Sequence, residues 1–232
     1  MEDVKLEPSE DLAYWVGAMQ TDGSLWKYNR KEKDHFEFRL AMGVATKSLP
    51  MLQKVAELSA KIFKRYGKAY KRYKEDQWDY HIQVKQLLSI FDRLDIKFGD
   101  PPKPPIWCLE TPRLFGAYLA GVIDGDGTVG IKRPKYPQCL IHIIGGSIQT
   151  DLEKAIRDVM KCSVFQMERY QKRFIKTLGR TIEGKWWDLE FRVSSKTAKF
   201  VLDYILPHLQ LEYKKKKLED FILKRYPSIA EN

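Results

Sequence analysis

Leu114-Phe115-Gly116-Ala117-Tyr118-Leu119-Ala120-Gly121-Val122-Ile123-Asp124-Gly125-Asp126-Gly127 decides how the rest of this 232-residue chain is read. Small residues (Gly116, Ala117, Ala120, Gly121) interleave with large apolar ones, which predicts a helix able to pack closely against a second helix. Its acidic, glycine-rich end predicts a stop in which glycine takes the left-handed geometry. A weaker copy lies upstream: Leu12-Ala13-Tyr14-Trp15-Val16-Gly17-Ala18-Met19-Gln20-Thr21-Asp22-Gly23. One offset of about 104 positions carries Asp22 to Asp126, Gly17 to Gly121, Gly23 to Gly127, Tyr14 to Tyr118, Ala13 to Ala117 and Pro8 to Pro112.

A repeat of that period in a chain of this length predicts two domains, each of about half the chain and with its own core. The break falls at Gly99-Asp100-Pro101-Pro102-Lys103-Pro104-Pro105, whose four prolines exclude a helix or central strand and predict a stiff linker. The expected division is residues 1–98, a linker over 99–110, and residues 111–232.

Each half has the same predicted order. Ser9 and Thr111 cap helices that have Pro8 and Pro112 at their first turns. Strands are expected at Ser24–Asn29 and over 35–44, where Phe36, Phe38, Leu40, Met42 and Val44 alternate with polar or small residues. Ser48 is the expected N-cap of a helix carrying Leu52, Val55, Leu58 and Ile62. A hairpin (Lys68–Lys74, Trp78–Val84) and a helix over Lys85–Leu94 complete the first half. In the second half, strands are expected at Thr128–Arg133 and Gln138–Ile144, then a helix at Asp151–Met160. A hairpin (Val164–Thr177, Lys185–Ser194) and a helix at Lys196–Leu206 follow. The final helix, Glu212–Arg225, stands outside the repeat, and its Lys214–Lys217 run is expected to be a solvated face, not a phosphate clamp. The fold class is α+β, two pseudo-symmetric αββαββα domains with the repeat helices packed at their interface.

Composition narrows the function. A net charge of +10 points to an anionic partner, and nucleic acid is the commonest one for a basic protein. No apolar run approaches the ~20 residues of a membrane span, and Met1–Lys5 has no signal-peptide pattern. Three scattered cysteines argue against a disulfide framework or zinc cluster, and place the chain in a reducing, intracellular, cytoplasmic setting. The four histidines lack metal-finger spacing.

Two helices ending in small-residue acidic turns, each followed by β-β-α-β-β-α, resemble the LAGLIDADG homing endonucleases in their single-chain, two-motif form. Leu119–Gly127 matches the nine-residue motif closely; Trp15–Gly23 keeps Gly17 and Asp22-Gly23 but has Gln20 where the motif has its first aspartate. The resemblance spans about Pro8 to Arg225. It implies a site-specific double-strand DNA endonuclease that acts as a monomer on a long non-palindromic duplex and leaves short 3′ overhangs. A free-standing, intron-encoded enzyme is favoured over an intein insert, because no flanking splicing sequence is seen. The alternative on the same scaffold is an intron RNA-splicing maturase. A DNA-binding regulator without activity is disfavoured by the intact aspartate pair.

The chemistry assigned on this basis is metal-assisted phosphodiester hydrolysis. Asp22 and Asp126 would hold Mg²⁺, with Mn²⁺ as a substitute, together with the helix-end carbonyls of Thr21 and Gly125. Asp124 is expected to be a supporting group beside the site or the DNA, not a ligand. Lys47 and Lys132 are the expected basic assistants, with Arg192 as a further source of phosphate neutralisation; Thr46 stands where relatives often carry glutamine. Strand alternation nominates Lys27, Asn29, His35, Glu37, Arg39, Asp79, His81 and Gln83 in the first half as DNA-facing. Arg169, Gln171, Arg173, Asp188, Glu190 and Arg192 are their counterparts in the second half. This is a mixture suited to reading base edges in a major groove. The loops at Arg30–Asp34 and Thr177–Lys185 are expected to reach along the DNA backbone.

Overall fold

The two repeat helices lie against each other at the centre of the molecule. The structure, a computed structural model, describes residues 6–29, 36–73, 75–84, 91–99, 101–175 and 180–230. Helix α1 (Glu10–Thr21) starts where the Ser9 hydroxyl accepts the Leu12 N–H, and α3 (Pro112–Asp126) starts where Thr111 does the same for Leu114. Residues Leu12–Gln20 and Phe115–Asp124 are all buried, so neither helix has a solvent face. Their approach depends on glycine. A Cβ on Gly17 would overlap the Tyr118 carbonyl oxygen, and one on Gly121 would overlap that of Tyr14.

Each helix runs directly into a four-stranded antiparallel sheet. The first sheet is built from β1 (Gly23–Asn29), β2 (Phe36–Ala45), β3 (Lys68–Lys71) and β4 (Gln77–Val84), in the order β1-β2-β4-β3. The second uses β5 (Gly127–Lys132), β6 (Gln138–Gly145), β7 (Val164–Ile175) and β8 (Arg180–Val193), in the order β5-β6-β8-β7. Alternation works as expected: Leu40, Met42, Val44, Tyr80 and Ile82 are buried on one side, as are Ile141, Ile143, Leu189, Phe191 and Val193 on the other. Helices α2 (Leu49–Phe63) and α4 (Thr150–Met160) cover these faces, and each ends on a left-handed lysine, Lys64 or Lys161. After β8 come α5 (Ser195–Phe200), which continues as a π-helical turn through Ile205, then α6 (Glu212–Arg225) and the short α7 (Pro227–Ala230). Among the described residues no helix is long and apolar enough to cross a membrane.

Several expectations are corrected. The helix stops do not use left-handed glycine: α3 continues to Asp126, and Gly127 is extended at φ −81°. Gly23 and Gly127 serve close approach instead, since a Cβ on either would overlap the carbonyl of Met19 or Ile123 in the turn just left. Ser48 makes no side-chain cap, because a 3₁₀ turn at Thr46–Ser48 leads into α2. The proline segment is not a free spacer: Pro102, Pro104 and Pro105 are buried, and the Lys103 carbonyl accepts a bond from Gln20. The loop expected over Thr177–Lys185 is shorter, because Arg180–Lys185 already pair with Ile175–Tyr170. The loop at Arg30–Asp34 and most of the helix expected at Lys85–Leu94 lie outside the described residues, although Phe91 packs on Trp15 with ring centroids 6.1 Å apart.

Candidate active site

Because α1 and α3 cross at their glycines, their C-terminal ends emerge together. Asp22 follows α1 and Asp126 closes α3. Thr21, the counterpart of Gly125, fills the space between the ends. A Cβ on Gly125 would overlap the Thr21 hydroxyl and sit 3.2 Å from the Asp22 carboxylate. Both aspartates are half-buried, at helix ends that carry partial negative charge. Burial pushes the Asp22 carboxyl above its ordinary value, and the positive charge of Lys214 partly opposes that rise.

Asp124 does not face solvent or a DNA surface. It is 1% exposed, and its carboxylate accepts bonds from Tyr14 Oη (2.8 Å), Gln210 N (2.8 Å) and Leu211 N (3.2 Å). Its counterpart Gln20 is equally structural: its Oε1 accepts from Tyr118 Oη, and its Nε2 donates to the carbonyls of Lys97 and Lys103. Within the Lys214–Lys217 run, Lys216 and Lys217 are exposed as expected, but Lys214 is not. Lys214 is 5% exposed and donates to the carbonyls of Ile123 (2.7 Å) and Asp124 (2.8 Å), while Lys217 donates to that of Val129 (2.9 Å). Burial draws the Lys214 ammonium down to about 8 against the opposing pull of Asp124, Asp22 and Asp126, and the charge of Lys47 adds to the lowering. Lys214 is the site residue that sequence reasoning missed. Its only signal was position in a lysine run, and charge runs are usually solvated.

The two expected basic assistants are not equivalent. Lys47 lies on the exposed turn after β2, at the end of the sheet where Gly23 pairs with Met42, and its charge is felt at Lys214. Lys132 is the last residue of β5 and bonds Glu190 at 3.2 Å. Five strand steps put it about 16 Å along the chain from Gly127, too far to assist at Asp126. Arg192, opposite Leu140, is level with Gly130, three strand steps from Gly127. Register also matches Thr46, four residues after Met42, with Ser147, four after Ile143. Both hydroxyls are buried without a hydrogen-bond partner among the described residues. Ile148 then stands where the first half has Lys47.

The sheet faces turned away from the helices carry most of the nominated reading residues. In the first sheet Arg39, Asp79, His81 and Gln83 share this face with Ser24 and Trp26, the latter 59% exposed. Glu37 takes a position of the same parity. Lys27 and Asn29 pair along β1 with Phe38 and Phe36, and their side chains, like that of Glu37, lie outside those described. His35 lies outside the described residues. Burial, with Arg39 and Lys68 nearby, lowers the pKa of His81, and Asp79 is held by Arg72 at 2.7 Å.

On the second sheet, Arg169, Asp188, Glu190 and Arg192 occupy the outward face, with Gln171 and Arg173 at positions of Arg169's parity. A polar network crosses all four strands. Glu190 is bridged to Lys132 and to His142 Nε2 (3.4 Å); His142 Nδ1 lies 3.0 Å from Asp188, which also meets Arg169 at 3.2 Å. The acids of this face are therefore already paired with bases and present less bare negative charge to a polyanion. Phe165 and Met167, both exposed, extend the face and were missed because they read as core.

The chain matches no family model and no curated protein sequence. Solved structures match it over nearly its whole length. I-DmoI in complex with DNA and Ca is 15% identical, covering 91% of this chain and 97% of that one at a TM-score of 0.54. I-SmaMI, a LAGLIDADG homing endonuclease bound to cleaved DNA, is 13% identical, with 99% and 93% covered and a TM-score of 0.53. I-LtrWI, of the same class and bound to target DNA, is 12% identical, with 95% and 93% covered and a TM-score of 0.52. At these identities the likeness is one of fold, and the fold is that of the LAGLIDADG homing endonucleases.

Proposed function

We propose that this chain is a site-specific DNA endonuclease that hydrolyses both strands of a long, non-palindromic duplex. The observation that carries this reading is the meeting of Asp22 and Asp126 at two helix ends, between two sheets whose outward faces are polar and basic. The proteins that share the fold are described as bound to DNA, in one case with Ca. The two halves, residues 1–98 and 111–232 joined through 99–110, differ in sequence, so one chain suffices as a monomer for an asymmetric site. Three unpaired cysteines suit a reducing compartment inside the cell.

The donor set fits a divalent, oxygen-seeking cation. Asp22 and Asp126 are half-buried carboxylates at adjoining helix ends, where the carbonyls of Thr21 and Gly125 would add neutral oxygens, and burial raises the Asp22 pKa. Mg²⁺ at Asp22 and Asp126 would activate water and stabilise the leaving oxygen, with Mn²⁺ as a substitute. The chain's own residues supply the rest. Lys47 neutralises phosphate charge at the strand end nearest the aspartates. Arg39, Gln83, Arg169 and Arg192 offer donors to base edges or phosphates, and the paired acids hold their neighbours in place. Short 3′ overhangs belong to the same reading.

The test is a cleavage selection from a randomised duplex library in Mg²⁺, repeated with Asp22→Asn and Asp126→Asn. Recovered sites that the wild type cuts and neither variant cuts in both strands support the reading. Retention of structured RNA with no cut duplex would replace it with a splicing role.

A further inference from the structure

Helix α6 has no counterpart among the described residues of the first half, yet it is tied to the candidate centre by reciprocal bonds. The Asp124 carboxylate, on the last turn of α3, accepts the Gln210 and Leu211 N–H groups that lead into α6. In return, Lys214 of α6 donates to the Ile123 and Asp124 carbonyls. A second tie, Lys217 to the Val129 carbonyl, holds α6 to the strand that leaves Asp126.

The first half does this differently. There Gln20, itself neutral, accepts from Tyr118 Oη and donates to the carbonyls of Lys97 and Lys103. The halves are also unequal in charge at the strand ends, where Lys47 is matched by Ile148.

We propose that Lys214 is a positioning residue of the centre, one that selects which carbonyls at the end of α3 remain available to a cation. The last turn of a helix leaves four carbonyls without intrahelical partners. Lys214 takes that of Asp124 and adds a second bond to that of Ile123, which already accepts the Gly127 N–H, leaving the Gly125 carbonyl and the Asp126 carboxylate on a fixed turn. The same ammonium supplies, from outside the repeat, the positive charge that Ile148 cannot. Groups that orient a metal's ligands commonly influence affinity by about 10- to 100-fold. The proposal rests on the nuclease reading.

The experiment uses the full chain bound to a duplex recovered by the cleavage selection. Ca²⁺ is titrated into that complex by calorimetry, alongside metal-free duplex affinity, melting temperature and single-turnover cleavage in Mg²⁺. Lys214→Met is expected to weaken Ca²⁺ binding about 10-fold or more, with duplex affinity unchanged. Lys216→Gln, an exposed position on the same helix, is expected to match the wild type. A purely structural lysine would lower the melting temperature and the active fraction but leave the Ca²⁺ affinity of the folded complex intact, and that result overturns the proposal. Should Lys214→Met fail to fold, Lys214→Gln keeps one donor to the helix end, and wild-type Ca²⁺ affinity in it overturns the proposal equally. If the wild type cuts no duplex at all, the nuclease reading falls and this proposal with it. If the wild type cuts and Lys214→Met binds Ca²⁺ as tightly, this proposal alone falls.

Discussion

Tyr14 donates its phenolic hydrogen to Asp124 across the crossed helices at 2.8 Å, and Tyr118 donates to Gln20 in the mirrored position at the same distance. The repeat offset thus reappears as a pair of pseudo-symmetric bonds that set the register of α1 on α3. One member of the pair is charged and the other is neutral. A hydrogen bond to a buried carboxylate contributes more than one to an amide. Tyr14→Phe should therefore cost about 2 kcal/mol and Tyr118→Phe about 1 kcal/mol in urea unfolding. Equal costs would mean that the Asp124 bonds from Gln210 and Leu211 carry the charge alone.

Gly17→Ala and Gly121→Ala should each cost about 3 kcal/mol or prevent folding, because the new methyl meets a backbone carbonyl that cannot move aside. Gly184→Ala, with open space around it, should stay within about 0.5 kcal/mol of the wild type. Melting curves of the three variants check this.

Asp22→Asn should abolish double-strand cleavage and, in metal-free protein, raise the melting temperature at pH 7. Burial raises the Asp22 pKa, so the folded chain keeps its proton to a higher pH than the unfolded chain does. As pH rises from the ordinary value of 3.8 through the raised one, wild-type stability falls, and above both the whole penalty is present. The gain from asparagine should therefore be present at pH 7, shrink as pH falls through the raised value, and be gone below 3.8. Melting in chelator across that range measures it; a gain that grows on acidification would contradict burial as the cause.

Lys47→Met should slow cleavage about 100-fold while target binding persists, as expected when a cation near the reacting phosphate is lost. Lys132→Met should leave the rate near that of the wild type and reduce the salt dependence of binding by about one unit of slope. Similar rate losses in both would put Lys132 back at the centre, against its place at the far end of β5.

Much of this molecule is legible in its sequence. The repeat, the Ser9 and Thr111 caps, the strand alternation from Leu40 to Val44 and the pairing of Asp22 with Asp126 all follow from short-range rules or from one offset. Those rules depend only on residues a few positions apart, or on two copies compared term by term. They stop where a contact joins distant segments. Lys214 meets Ile123 and Asp124 from about 90 residues away, so one lysine of a run that reads as solvated became a buried clamp. Asp124 became a core carboxylate because Tyr14, Gln210 and Leu211 converge on it. Lys132 moved out of reach because a strand carries its last residue away from the turn that starts it. By itself the sequence determined that two acidic helix ends exist and that they are paired. Tertiary structure alone decided which charges stand beside them, because burial and long-range hydrogen bonds, unlike periodicity, belong to the packed chain.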